Sequence, residues 1–160
     1  MIKIKIICVG KLKEKHYISA FAEYEKRLKP YCKLEVCEIS EQRLSQWPSP
    51  AEIEAGLKRE AADICRNIPD GAYVIPMCIE GSELSSTEMA EKLASLCSMG
   101  KSQLCFIIGS SNGLDEAIKE NGDFRLSMSK MTFPHHLARV MLAEQIYRAI
   151  MINEGSKYHK

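Results

Sequence analysis

At 160 residues, 46% of them hydrophobic and with a formal net charge of +1, the chain carries enough apolar material for one domain with a full core. No segment approaches the ~20 apolar residues of a membrane helix, and Met1–Val9 alternates isoleucine with lysine where a signal peptide would be continuously apolar. The seven cysteines are odd in number and form no Cys-x-x-Cys pair, which argues against a disulfide framework and against zinc, and for a reducing cytoplasm.

The period-2 pattern of Ile2–Val9 predicts a half-buried strand that Gly10 closes. Lys15–Lys29 places Ile18, Phe21, Ala22 and Leu28 at helical spacing before Pro30. Lys33–Ser40 alternates again and reads as a second strand, followed by a polar loop over 41–48. Ser49-Pro50-Ala51-Glu52 reads as a helix start with a capping box, and Ile53, Leu57, Ala61 and Ile64 make one apolar stripe behind it. Ala72–Ile79 is a buried strand whose Pro76 points to an edge or a bulge.

Ser85-Ser86-Thr87-Glu88 opens another helix, with Met89, Leu93 and Leu96 inward and Gly100 as its stop. Leu104–Ile108 is wholly apolar, as a strand covered on both faces must be. A short helix from about Leu114 and a short strand around Arg125–Met128 follow. His135–Asn153 is helical and apolar on more than one side, so it needs two partners, and a second copy of the chain is the simplest source of one. Alternating strands and helices predict a single α/β domain over 1–160, with a mostly parallel sheet and helices on both faces.

The small net charge hides a partition. Residues 1–33 hold nine Lys/Arg against three acids, 34–124 hold seven against sixteen, and 125–160 hold six against two. If the two basic ends meet in space they form a cationic face suited to RNA or another polyanion; solvated surface lysines are the plainer alternative.

In parallel sheets ligands bind beyond the C-terminal strand ends, which here are 77–81, 109–113 and 128–133. The turn Gly109-Ser110-Ser111-Asn112-Gly113 leads from strand to helix and presents free backbone N–H groups, but its glycine spacing is neither a dinucleotide fingerprint nor a phosphate loop. Asp115 and Glu116 would repel a phosphate and tolerate a cationic ligand; complementing the helix dipole is their alternative role. No nucleophile–base pair emerges from residue types alone. Chemistry that needs only positioning, such as methyl transfer from a sulfonium donor, remains open.

Several motifs carry a resemblance across nearly the whole chain: Lys11-Leu12-Lys13-Glu14, Tyr24-Glu25-Lys26-Arg27-Leu28, Phe106-Ile107-Ile108-Gly109, Asn112-Gly113-Leu114, Leu126-Ser127 through Met131-Thr132-Phe133-Pro134-His135, Arg139-Val140, Glu144-Gln145, Tyr147-Arg148-Ala149 and Tyr158-His159-Lys160. They resemble the RlmH (YbeA-like) family of SPOUT methyltransferases. The resemblance implies an α/β fold with a C-terminal trefoil knot, and a homodimer. It implies S-adenosylmethionine as cofactor and methylation of N3 of a pseudouridine in the intersubunit-bridge stem-loop of 23S rRNA, on assembled ribosomes. Carried over by motif, the cofactor would contact Met77, Gly109, Met128, Ser129, Lys130, Met131, Thr132 and Phe133, largely through backbone. His159, Tyr158 and His135 would serve the chemistry, His159 as base or RNA clamp. Lys11, Lys13, Lys15, Lys157 and Lys160 would face RNA; Arg139 and Arg148, each by residue type either an ion-pair partner (Glu144 is in reach) or a phosphate contact, are assigned to the dimer or RNA face. No metal is implied.

Three positions depart from the family pattern. Ser110 stands where many members have Gly, His136 where Gln is common, and Cys78 where an acid is frequent; Ser110 and Cys78 are the two expected to alter cofactor affinity. Two other readings stay open: a knotted ribosome-associated factor that transfers no methyl group, and a nucleotide-binding enzyme of flavodoxin type, against which the missing phosphate loop argues.

Overall fold

The isoleucine-rich segment Ile2–Val9 forms β1 and lies inside the sheet, paired in parallel with β2 (Cys32–Ile39) on one side and β4 (Gln103–Ile108) on the other. The computed structural model describes residues 1–160. Beyond β4 come β3 (Tyr73–Glu83) and β5 (Leu126–Ser127), giving the order β2-β1-β4-β3-β5 with every neighbouring pair parallel. Parallel neighbours require crossovers, and these are α1 (Lys15–Leu28), α2 (Pro50–Asn67), α3 (Ser86–Ser98) and α4 (Glu116–Glu120); α5 (His135–Asn153) follows the last strand.

Alternation along the strands sorts side chains between two cores. Ile4, Ile6, Cys8, Leu104, Phe106 and Ile108 pack with residues of α1, α3 and α5, while Ile7, Val9, Cys105 and Ile107 pack with Ala61 and Ile64 of α2 and Ile118 of α4. Lys3 and Lys5 belong to the second face, at the end of the sheet that its core does not reach, where Lys5 pairs with Glu35 across the strand at 2.8 Å. Hence the sequence of β1 alternates in its first half and runs apolar in its second. The thiols of Cys8 and Cys105 are pushed up to about 12 by burial, which leaves them protonated and inert.

Both N-terminal serine caps form. Ser85 and Glu88 make the reciprocal box, whereas at α2 only half of the expected box exists: Ser49 accepts from the Glu52 N–H, and the Glu52 carboxylate turns instead to the Ser45 backbone and hydroxyl.

Of the two expectations for Pro76, an edge or a bulge, the structure bears out the bulge: Pro76 lies in an interior strand, opposite Ile107 of β4, and a break in register follows it. Val74 and Pro76 share a backbone side, and at Val74 that side faces away from β4, its N–H and carbonyl engaging Asp123 and Phe124. The missing N–H of Pro76 therefore leaves no rung of the β3–β4 ladder open. Directly after it the chain departs: Met77 pairs with Leu126, and the next pairing on β3 is Ser82, again opposite Leu126. Residues 78–81 thus bulge out of the sheet, and β3 runs four residues further than the alternation of Ala72–Ile79 suggested.

Candidate functional site

That bulge is one wall of a cleft of about 730 Å³ at the C-terminal strand ends. Met77, Cys78, Ile79 and Glu80 form this wall, the turn 109–113 with Leu114 forms the second, and the loop 128–134 with the start of α5 closes the third. The volume falls in the range of sites for drug-sized ligands.

Each wall is fixed locally. In the second, the Gly113 N–H donates to the Ser110 carbonyl at 2.9 Å, which folds the turn back on itself. A Cβ on Gly109 would stand 2.3 Å from the Gly113 carbonyl oxygen, so only glycine fits there. In the third, the Ser127 hydroxyl donates to the Ser129 carbonyl at 2.9 Å and the Ser129 hydroxyl accepts from the Met131 N–H at 3.0 Å. These are local hydroxyl turns that stiffen the loop from within. Pro134 then sets the entry into α5.

Of the residues expected to hold a cofactor, Met77, Gly109, Met128, Met131, Thr132 and Phe133 line the cleft together. Ser129 and Lys130 do not; Ser129 braces the loop, and Lys130 is exposed. His135 is at the cleft, half-buried, with its pKa lowered by burial first and then by His136 and Arg139. Its imidazole is consequently neutral at neutral pH and able to accept a proton. Its ring meets that of His136 edge-on at 4.2 Å, and His136 Nδ1 lies 2.9 Å from Glu14.

Lys11 and Lys13 are exposed on the loop that begins at Gly10, and Lys15 is exposed at the first position of α1; Gly10 adjoins both imidazoles, so the basic segment starts beside His135 at the cleft. Of the two roles open to Arg139, ion-pair partner or phosphate contact, the structure shows the first, with Glu38 in place of Glu144. The Arg139 side chain is 3% exposed, donates to Glu38 at 3.0 Å and to the Gly10 carbonyl at 2.9 Å, and Glu38 also accepts from the Leu12 N–H at 2.8 Å. Arg139 is therefore the anchor of the basic loop.

The tail is elsewhere. Gly155, at φ +67°, caps α5 with the paired bonds Ser156 N–H to Met151 and Gly155 N–H to Ile152, and the chain turns back along the helix. Tyr158 donates to Glu144 at 3.2 Å and packs edge-on against Tyr147 at 4.9 Å. Arg148 donates to Glu144 at 2.9 Å, stacks on the Tyr158 ring, and lies 3.3 Å from His159 Nδ1. Burial, with hydrogen bonds to Tyr24 and Glu144, pushes the Tyr158 phenol up to about 12, so it acts as a donor and not as a base. Lys157 and Lys160 are exposed beside it. Within one chain neither Tyr158 nor His159 lines the cleft.

Sequence reasoning missed Glu80 and Lys119, an ion pair at the cleft wall, and the buried Glu60 behind the turn 109–113. Pro76 points to the bulge, but not to the acid at position 80 that the bulge carries to the cleft wall. No cluster of three His, Cys, Asp or Glu side chains is placed to hold a metal ion.

Residues 2–159 match the family described as predicted SPOUT methyltransferase. The chain belongs to that family. It is 48% identical to the ribosomal RNA large subunit methyltransferase H of Bifidobacterium adolescentis over 99% of both chains. It is 45% identical to the protein of that name from Clostridioides difficile, over 98% of this chain and 99% of that one. Its fold is similar to that of a probable methylase family protein from Haemophilus influenzae Rd KW20, with a TM-score of 0.57 at 15% identity over 98% of this chain and 70% of that one. For a SPOUT methyltransferase the cleft has the right chemistry: stiff backbone loops, an apolar half formed by residues such as Met77, Leu126, Met128 and Phe133, and no phosphate cradle. An adenosyl group with a sulfonium side chain fits that donor set.

Proposed function

We propose that this protein is an S-adenosylmethionine-dependent methyltransferase of large-subunit ribosomal RNA, acting on N3 of a pseudouridine in the intersubunit-bridge stem-loop. The observation that carries the reading is the convergence of Met77, Gly109, Met128, Met131, Thr132 and Phe133 on one cleft, with Gly10, the start of the segment that carries Lys11, Lys13 and Lys15, beside His135. The names of the 44–48% identical relatives support the rRNA substrate.

S-adenosylmethionine supplies an electrophilic methyl group on a sulfonium sulfur. The chain's own part is positioning. The loops at 109–113 and 128–134 hold the donor through backbone, and neutral His135 at the cleft offers an acceptor for the N3 proton. The exposed lysines hold phosphates and orient the base.

Because Tyr158 and His159 lie away from their own chain's cleft, the tail serves the cleft of a second protomer. Leu137, Val140, Met141 and Ile150 are only half-buried on α5, and the same helix that carries the tail supplies the dimer face. Substrate in this reading is the assembled ribosome in the cytoplasm.

Three measurements test this. Calorimetry finds S-adenosylmethionine binding, and mass spectrometry of large-subunit rRNA from cells with and without the gene finds one methyl group lost. His159→Ala lowers methyl transfer at least tenfold with donor binding intact. Absence of donor binding at millimolar concentration would instead favour the factor that transfers no methyl group.

A further inference from the structure

Glu60 is a carboxylate that the proposed chemistry does not use, and it is 4% exposed on the inner side of α2, next to Ala61 and Ile64 of the smaller core. Burying a carboxylate without a cation is unfavourable. Here burial raises its pKa, with Glu41 adding to the effect. What it does contact is specific. One oxygen accepts from the Gln42 N–H at 3.2 Å, and the other lies 3.5 Å from the hydroxyl of Ser110, itself 7% exposed. Ser110 Oγ accepts in turn from the Asn112 N–H at 3.3 Å. Gly56, one turn earlier on α2, lets Leu44 and Gln42 approach to 3.2 and 3.6 Å of the position its Cβ would take. The β2–α2 loop is thereby pressed against α2, where it shares a small crevice with Glu60 and with Ser110 and Asn112 of the turn whose front is the cleft wall.

We infer that Glu60 is a positioning residue of the cofactor site, holding the turn 109–113 against α2 through Ser110 and the β2–α2 loop through Gln42. The assignment rests on the donor-binding role proposed for that turn and goes beyond it by naming what fixes the turn from behind. An N–H donor and a hydroxyl converge on one side chain, and accepting from both takes an acceptor oxygen for each. The ionised carboxylate offers both; a protonated carboxyl or an amide presents only one free carbonyl oxygen.

The charged groups around Glu60 are few. Glu41 comes from the β2–α2 loop and Arg59 from α2 itself, where it donates to the Gln42 side chain at 3.1 Å; the turn 109–113 brings none. A buried, cation-free carboxylate destabilises the fold relative to its protonated form: stability from this group is greatest below the unfolded pKa and is lost as pH rises through the raised one. Removing its charge should therefore spare stability near pH 8 while loosening the turn.

The test is calorimetry of S-adenosylmethionine binding alongside thermal unfolding at pH 8. Glu60→Gln is expected to weaken binding about threefold with a melting temperature no lower than that of the unsubstituted protein. Glu60→Ala should weaken binding about tenfold and Ser110→Ala about threefold, and the double variant should bind no worse than Glu60→Ala, because the two residues act as one link. As pH falls through the raised Glu60 pKa, the unsubstituted protein should approach the affinity of Glu60→Gln. Additive losses in the double variant, unchanged affinity in Glu60→Gln, or losses that simply track melting temperature would overturn the assignment. If the unsubstituted protein binds no donor, the cofactor reading falls first and takes this one with it.

Discussion

Helix α5 begins among buried groups and ends among accessible ones. At its first turns, His135 lines the cleft, His136 reaches Glu14, and Arg139 is closed in between Glu38 and the Gly10 carbonyl. At its last turns, Tyr158 and His159 rest on Arg148 and Glu144, on side chains that solvent also reaches. The first end ties together β1, β2, the basic loop and the cleft, so its geometry is over-determined. The tail is held by one phenol hydroxyl, a ring contact and a cation–π contact, interactions worth on the order of 1 kcal/mol each. In the proposed reading a methyltransferase acting on a large RNA has use for both: a donor pocket that is rigid before substrate arrives, and a segment that can be re-seated when RNA or a second protomer takes its place.

The sharpest break to the rigid end is at the turn that faces it. Gly109→Ala would drive a methyl group into the Gly113 carbonyl, with the Leu114 side chain also against it at 3.0 Å. We expect S-adenosylmethionine binding to fall by more than about 100-fold, since the turn itself must open; calorimetry would detect it. Binding within about threefold of the parent would show that the turn is not part of the donor site.

Arg139→Ala comes next. It strips Glu38 of its cation and leaves the Gly10 carbonyl buried and unpaired. Glu38 is partly solvated, so the expected loss is about 2–3 kcal/mol, below that of a fully buried pair. Urea unfolding measures it. Lysine at 139 should not rescue the variant, because a single ammonium cannot reach both acceptors in the geometry of the fork.

These two residues also mark how far the sequence could be read. Strands, helices and both serine caps follow from periodicity and capping chemistry, and the strand ends correctly located the cleft. Arg139 is ambiguous in the sequence because a cation on an apolar helix has two explanations, surface contact or buried ion pair, and its partner Glu38 is 101 residues away. The bulge after Pro76 was hinted at by the proline alone, since its depth depends on where β5 pairs. Glu60 looked like one more acid on an amphipathic helix. Nothing local says that the turn 109–113 packs against it, fifty residues on. The tail could be assigned to RNA by resemblance, but its fold-back onto Glu144 depends on the Gly155 cap.

A pH profile separates the two ends with a smaller effect. His135 is neutral because burial, His136 and Arg139 all disfavour its charged form. With a depressed folded pKa, its neutral form persists below the ordinary histidine range, and stability present above the unfolded value near ~6.5 is lost as pH falls through the folded one. If His135 accepts the N3 proton, single-turnover methyl transfer should show an acid limb below that range, falling about tenfold per pH unit. His135→Asn should abolish the limb along with most of the rate. A limb that survives the substitution would move the base to the tail, where His159 lies in solvent.

The smallest effect is expected at Tyr158, and it bears most directly on the contrast between the ends. Tyr158→Phe deletes the hydroxyl that donates to Glu144 but keeps the ring against Tyr147 and under Arg148. The bond is partly solvated, so urea unfolding should register no more than about 0.5 kcal/mol. Donor affinity should not change, because the tail is absent from the cleft of its own chain and, in the proposed reading, meets the substrate side of the partner's. RNA methylation should fall a few-fold as the tail loses its rest position and reaches the substrate in fewer productive poses. Equal losses of stability from Tyr158→Phe and Arg139→Ala would mean that the tail is as fixed as the cleft end, and the division of labour along α5 would have to be abandoned.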